Sequence, residues 1–199
     1  MKKFPYTIYC DMDGVLVDFE NGVVKAINAE LSKDNPQHPK MVKKLRAEIG
    51  SRPVTIDDIK KFTDTSVDSV RNYMYALVQN DVNFWAKLEW AEGGQDLWNY
   101  IKKFNPYILT APMDKLGKSG SADGIILWVQ KHLGKEFADR IIFEHDKWKH
   151  ATDGNNPNIL IDDFESKIKP WKKAKGIGIH HLNTKTTKDI LQDIHELMD

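Results

Sequence analysis

Asp11-Met12-Asp13-Gly14-Val15-Leu16-Val17-Asp18 follows directly on the apolar run Tyr6-Thr7-Ile8-Tyr9-Cys10. A short, nearly continuous apolar run that ends in turn residues is the pattern of a strand covered on both faces. Residues i and i+2 of an extended segment project to the same side. Asp11 and Asp13 are therefore expected to face one site at the strand's carboxyl end, where open α/β sheets bind ligands. Gly14 permits a tight turn away from that edge. Two carboxylates held together repel one another unless a proton or cation lies between them, and Mg²⁺ prefers hard oxygen ligands. A lone Asp-x-Asp-Gly also arises as a turn with two solvated aspartates, so the reading depends on what else reaches the same edge.

Three further apolar runs have the same character: Pro106–Thr110, Asn158–Ile161 and Gly176–His181, with a weaker one at Arg140–Glu144. Amphipathic helical patterns separate them. Gln95–Phe104 places Leu97, Tyr100, Ile101 and Phe104 on one stripe, and Ser121–Leu133 does so with Ile125, Trp128, Val129 and Leu133 before Gly134. Ser166–Lys175 ends at Gly176, and Thr187–Met198 carries Ile190, Leu191, Ile194 and Leu197. Strands alternating with helices imply an α/β fold, a doubly wound parallel sheet with helices on both faces.

Between about Glu20 and Glu92 the alternation stops and only helical patterns remain. Val24, Ile27 and Leu31 form one stripe, and Met41, Val42, Leu45 and Ile49 another. Thr55 has the place of an N-cap for Ile56–Phe62, and Val67, Val70, Met74 and Leu77 mark a longer helix. Pro-containing stretches near Asn35–Pro39 and Ser51–Pro53 punctuate them. The expected organisation is a core of residues 1–19 and 93–199, with a small all-helical cap of residues 20–92 inserted after strand 1.

Two other strands deliver polar chemistry to the edge that Asp11 occupies. Thr110 ends one, so its hydroxyl and the neighbouring backbone N–H groups, that of Ala111 among them, are placed to hold phosphoryl oxygens. Asn158-Ile159-Leu160-Ile161-Asp162-Asp163 ends in a carboxylate pair whose side chains alternate in direction, one suited to a metal and the other to its support. Taken singly, each has an ordinary reading as a strand end or a helix N-cap. Three strands with compatible chemistry at one end are harder to explain that way. A cation is still needed against phosphate charge, and Lys147 and Lys149 are the candidates.

Lys+Arg and Asp+Glu are both 29, so the chain has no general attraction to nucleic acid or an anionic surface. Its one cysteine, Cys10, excludes an intrachain disulfide and reads as a small core residue. No leader sequence or apolar stretch of membrane-spanning length is visible, and a cytoplasmic protein is expected. Gly117-Lys118-Ser119 lacks the upstream glycine of a phosphate loop. His180-His181 has no partners at metal-ligand spacing and reads as a strand end.

In this order, the pieces resemble the four motifs of the haloacid dehalogenase-like superfamily. Asp11-Met12-Asp13-Gly14 resembles motif I, Thr110 motif II, a lysine near position 147 motif III, and Asp162-Asp163 motif IV. Within the superfamily the chain looks most like the 5′(3′)-deoxyribonucleotidase group, through Asp11–Glu20, Asn83–Glu89, Trp128–Gly134 and Ile159–Asp163 followed by Trp171. The resemblance implies a Mg²⁺-dependent phosphomonoester hydrolase acting through an aspartyl-phosphate intermediate on a nucleoside monophosphate; the alternatives are a phosphatase of the same fold acting on another small phosphate ester or a polynucleotide 3′-phosphate, and a non-catalytic domain that binds phosphorylated ligands. Asp11 would be the nucleophile and Asp13 the general acid and base. Asp11, the Asp13 carbonyl and Asp162 would bind Mg²⁺, with Asp163 in support, and Thr110 and the lysine would hold phosphoryl oxygens. Phe19, Trp85 and Trp90, near the two crossings between core and cap, are the candidates for stacking on a base, with core packing as the alternative. The link Met113–Asp123 is longer and richer in Gly and Ser than the family's pattern, and Gly124 stands where a basic residue would be expected.

Overall fold

β1, Ile8–Cys10, is fully buried and has a parallel neighbour on each side. In the computed structural model, which describes residues 6–61, 69–113 and 120–196, four more strands complete its sheet. They are β2 (Tyr107–Thr110), β3 (Ile141–Phe143), β4 (Ile159–Asp162) and β5 (Ile177–His180). The order is β3-β2-β1-β4-β5 and every pairing is parallel. The chain leaves β1 toward one edge for β2 and β3, then returns to the other side for β4 and β5. That reversal places a topological switch point at β1, and the register pairs Cys10 with both Ile108 and Ile161. The ends of β1, β2 and β4 therefore bring Asp11, Thr110 and Asp162 to one rim.

The strand interiors explain themselves. Ile8, Cys10, Ile108, Leu109, Ile159, Leu160 and Ile161 have no exposed surface, because helices cover the sheet. Helix Gly94–Ile101 buries Leu97, Trp98 and Ile101, and Trp98 meets Phe137 edge to face at 4.6 Å. Helix Glu165–Lys173 buries Ile168 and Trp171, whose indole N–H donates to the Asn158 carbonyl at 3.1 Å. Helix Thr184–Glu196 ties back through the Thr184 hydroxyl, which donates to the Gly93 carbonyl at 2.9 Å. Cys10 lies inside this core, and burial pushes its thiol pKa well up, which suits a packing residue.

The chain divides into two compact units. The one just described takes in Met1–Asp18, Glu89–Pro112 and Val129–Asp199; the other takes in Phe19–Leu88 and Met113–Trp128. The second is helical, with helices Phe19–Leu31, Pro39–Ile49, Ile56–Lys61, Val70–Val78 and Val82–Ala86. Its core is Val23, Ile27, Leu31, Met41, Leu45, Ile49, Val54, Val70, Met74 and Val78. Val23 takes the inward position expected for Val24, which is half-buried. Thr55 and Asp58 form a reciprocal cap: the Thr55 N–H donates to Asp58 Oδ2 at 3.0 Å, and the Asp58 N–H donates to Thr55 Oγ1 at 3.3 Å. Val67, expected on a stripe with Val70, lies outside the described residues, as do the expected helix terminus at Met198 and the stretch Gly117-Lys118-Ser119.

Helix Gly120–His132 begins in the second unit, and its small residues explain the packing. A Cβ on Gly124 would run into Trp85 Cβ and lie 2.6 Å from the Val82 carbonyl oxygen. Gly124 thus serves close approach of two helices, and a basic side chain there would not fit. Among the described residues no helix is long and apolar enough to cross a membrane.

Candidate active site

Asp11 continues the ladder one residue past β1, its N–H donating to the Ile161 carbonyl at 2.9 Å. The chain then folds sharply. The Met12 carbonyl accepts from the N–H groups of Leu16 and Val17 at 2.8 and 2.9 Å, and the Gly14 N–H donates to the Val17 carbonyl at 2.9 Å. Gly14 sits at φ +75°, and a Cβ on it would collide with the Asp163 carboxylate. Glycine is therefore required twice, for the turn and for the approach of Asp163.

Lys147 opens a one-turn 3₁₀ helix, Lys147–His150, after β3. Its side chain is 3% exposed, and its Nζ lies 2.7 Å from Asp11 Oδ1 and 2.7 Å from Asp162 Oδ2. The other Asp162 oxygen accepts the Phe164 N–H at 2.8 Å. Lys149 points elsewhere: its side chain is 47% exposed and pairs with Glu144 and Asp146, each at 3.2 Å. Thr110 is fully buried at the end of β2.

Among the described residues, three buried polar atoms at this rim have no hydrogen-bond partner: Asp13 Oδ1, Thr110 Oγ1 and Asp163 Oδ1. Native interiors rarely leave such groups unmatched, and a site that binds ligand is one reason they do. Asp11, Asp162 and Asp163 each offer an oxygen, all within 4.8 Å of one another. Those oxygens are hard, anionic and largely removed from water, and among the described residues one ammonium, that of Lys147, contacts the carboxylates of the rim. The donor set fits a hard divalent cation of the Mg²⁺ type.

The titration of the carboxylates follows from the same burial. Desolvation pushes Asp13 up to about 8, with the Asp11 and Asp163 charges adding to it against the opposing pull of Lys147. Desolvation also raises Asp11, but Lys147 beside it limits the rise to about 6. Asp163 is pushed up to about 7, chiefly by burial and then by Asp11. Lys147 sits above its ordinary value: burial pulls it down, and the flanking Asp11 and Asp162 charges outweigh that pull. At neutral pH one aspartate of the Asp-x-Asp pair is mostly ionised and the other mostly protonated.

Trp85 belongs to the helical unit and is 1% exposed. Its N–H donates to the Val78 carbonyl at 2.9 Å, and Phe19 stacks on it at 5.2 Å, with Phe84 edge-on. These contacts pack Trp85 within its own core, the alternative to stacking on a base. Phe19 is half-buried in the same packing. Trp90 is half-buried in the sheet unit, edge-on to His132 at 5.8 Å, and Ala111 is half-buried directly after Thr110. One contact escaped the sequence reading. The His180 ring reaches the Asp163 carbonyl at 2.8 Å, a pairing visible only once β4 and β5 are adjacent.

In fold, the chain is similar to solved hydrolases, one of them of the HAD family. A hydrolase from Streptococcus pneumoniae TIGR4 superposes with a TM-score of 0.52 at 14% identity, covering 94% of this chain and 98% of that one. A HAD family hydrolase from Deinococcus radiodurans R1, solved with bound phosphate and sodium, gives 0.51 at 13% identity, covering 87% and 80%. In sequence, the chain is similar to the human cytosolic 5′(3′)-deoxyribonucleotidase, 28% identical over 162 residues, 80% of this chain and 71% of that protein. No protein-family model matches.

Proposed function

We propose that the protein is a Mg²⁺-dependent phosphomonoester hydrolase that acts through an aspartyl-phosphate intermediate on nucleoside monophosphates in the cytoplasm. The observation that carries the reading is the split between two carboxylates of one turn. Asp11 stands near 6 beside Lys147, and Asp13 stands near 8 without such a partner. Pairs of acids driven apart in this way divide the work of nucleophile and proton donor.

Asp11, ionised at neutral pH, attacks phosphorus as the P–O bond to the alcohol breaks. Asp13 keeps its proton until then and gives it to the departing oxygen. A water molecule then attacks the phosphorus of the acyl phosphate, Asp13 takes its proton, and Asp11 leaves as carboxylate, so the enzyme is restored with one water consumed. Lys147 and the Thr110 hydroxyl, whose oxygen lacks a partner among the described residues, would hold the phosphoryl oxygens. Asp11, Asp162 and Asp163, with the Asp13 carbonyl, would hold the metal, which would neutralise phosphoryl charge. Such chemistry is mainly positioning and charge compensation.

The nucleotide assignment rests on the similarity to a deoxyribonucleotidase, together with the quoted stretches that resemble that group. The test is phosphate release from 5′- and 3′-nucleoside monophosphates, their deoxy forms, sugar phosphates and an aryl phosphate, with Mg²⁺ and with chelator. Turnover confined to the nucleotides and abolished by chelator is expected. Turnover only of sugar phosphates would remove the nucleotide assignment, and turnover of nothing would remove the hydrolase.

A further inference from the structure

Asp162 and Asp163 are adjacent but held differently. Both carboxylate oxygens of Asp162 are fixed, one by Lys147 at 2.7 Å and one by the Phe164 N–H at 2.8 Å. The Asp163 carboxylate is tied only to its own backbone N–H, and among the described residues its Oδ1 is buried without a partner. Gly14 lies against it and limits where it can go, but offers it no side-chain hydrogen bond. Its direction must be set through its backbone.

That backbone is gripped by the end of β5. In register, Asp162 pairs with His180. The His181 N–H donates to the Asp162 carbonyl at 2.9 Å, and the His180 Nε2 contacts the Asp163 carbonyl at 2.8 Å. A carbonyl oxygen only accepts, so Nε2 carries the proton. Two consecutive carbonyls are thus held by two consecutive residues of the neighbouring strand, one through main chain and one through an imidazole. The His181 ring is engaged otherwise, with its Nδ1 2.8 Å from Thr187 Oγ1. The imidazole bond is the one that a substitution can remove without breaking the ladder.

Building on the metal reading above, we propose that His180 is a positioning residue: by donating to the Asp163 carbonyl it fixes the turn after β4 and aims the Asp163 carboxylate at the cation. Groups that orient a metal ligand from behind typically matter about 10–100-fold in affinity or activity. The test compares His180→Phe, which keeps ring bulk without a donor, with His180→Gln, whose amide nitrogen reaches about as far as Nε2. Mg²⁺ affinity is measured by calorimetry on the full chain without substrate, alongside the metal-free melting temperature. His180→Phe should weaken Mg²⁺ binding about tenfold or more, His180→Gln should restore it to within about threefold of wild type, and both should melt within a few degrees of wild type. Equal affinity in all three proteins overturns the proposal, and so does equal loss in Phe and Gln, which would trace the effect to the ring. A wild-type protein that binds no Mg²⁺ overturns the metal reading itself and this proposal with it.

Discussion

Asp11 and Asp13 are the same residue type two positions apart, and what separates them is one ammonium. Lys147 contacts Asp11 at 2.7 Å and holds its pKa near 6, while Asp13 rises to about 8. Asp11→Asn keeps the shape but replaces the proposed nucleophile and metal ligand with an amide. It should lower kcat/KM by about a thousandfold or more with a near-wild-type circular dichroism spectrum. Folded protein with more than about a tenth of normal activity would reject the covalent route. Lys147→Ala leaves buried carboxylates facing one another and removes the cation proposed to hold the phosphoryl group. Its kcat/KM should fall about a hundredfold or more, whereas Lys149→Ala, at an exposed pair, should stay within about threefold. The reverse ranking would transfer the role to Lys149.

Elements show why one lysine reaches the rim. Successive residues of a 3₁₀ helix turn by about 120°, so positions 147 and 149 face different directions, where an extended segment would aim both alike. The sequence does not announce a single 3₁₀ turn, and the choice between the lysines was open on that account. The strands were legible because burial on both faces leaves an uninterrupted apolar run, as in Ile159-Leu160-Ile161. Helix Val82–Ala86 was not, since five residues carry no period and its signal is one capping Asp81. The two-residue ladder Thr152–Asp153 with Asn156–Pro157, turning at Gly154 with φ +59°, was also hidden, for its residues are polar. Trp85 was ambiguous in a different way, because a tryptophan that packs and one that stacks on a ligand are the same letter. Its burial and its bond to Val78 now decide the expectation for Trp85→Ala. That variant should lose about 3–5 kcal/mol of stability, by analogy with other buried Trp→Ala changes, and lose activity equally on a nucleotide and on a phosphate lacking a base. A tenfold selective rise in KM for the nucleotide, with an unchanged melting temperature, would restore the stacking role.

At the scale of the whole molecule, the rim couples folding to pH and to metal. Asp11, Asp13 and Asp163 have folded pKa values of about 6, 8 and 7. In an unfolded chain an aspartate titrates near 3.9. Between about pH 4 and 8 these three carboxylates therefore hold more protons in the folded protein than in the unfolded one, so their contribution to stability falls as pH rises through that window. The stabilisation is full below about pH 4 and gone above about pH 8, where all three must be ionised in a confined space. Metal-free protein should melt progressively lower from pH 6 to pH 8.5, and Asp13→Asn, which removes one of these charges, should flatten the decline and melt higher than wild type at pH 8. A cation bound by the folded state alone acts in the opposite sense. At a hundred times its dissociation constant it adds about 2.7 kcal/mol, roughly 5–10 °C for a chain of this length. Because the metal competes with the protons, the gain should grow as pH rises from 6 to 8. Melting curves in Mg²⁺ and in chelator at three pH values check this. Coincident curves at pH 8 would mean that the carboxylates bind no cation, and a metal-free melting temperature that rises from pH 6 to 8 would mean that their pKa values are not raised.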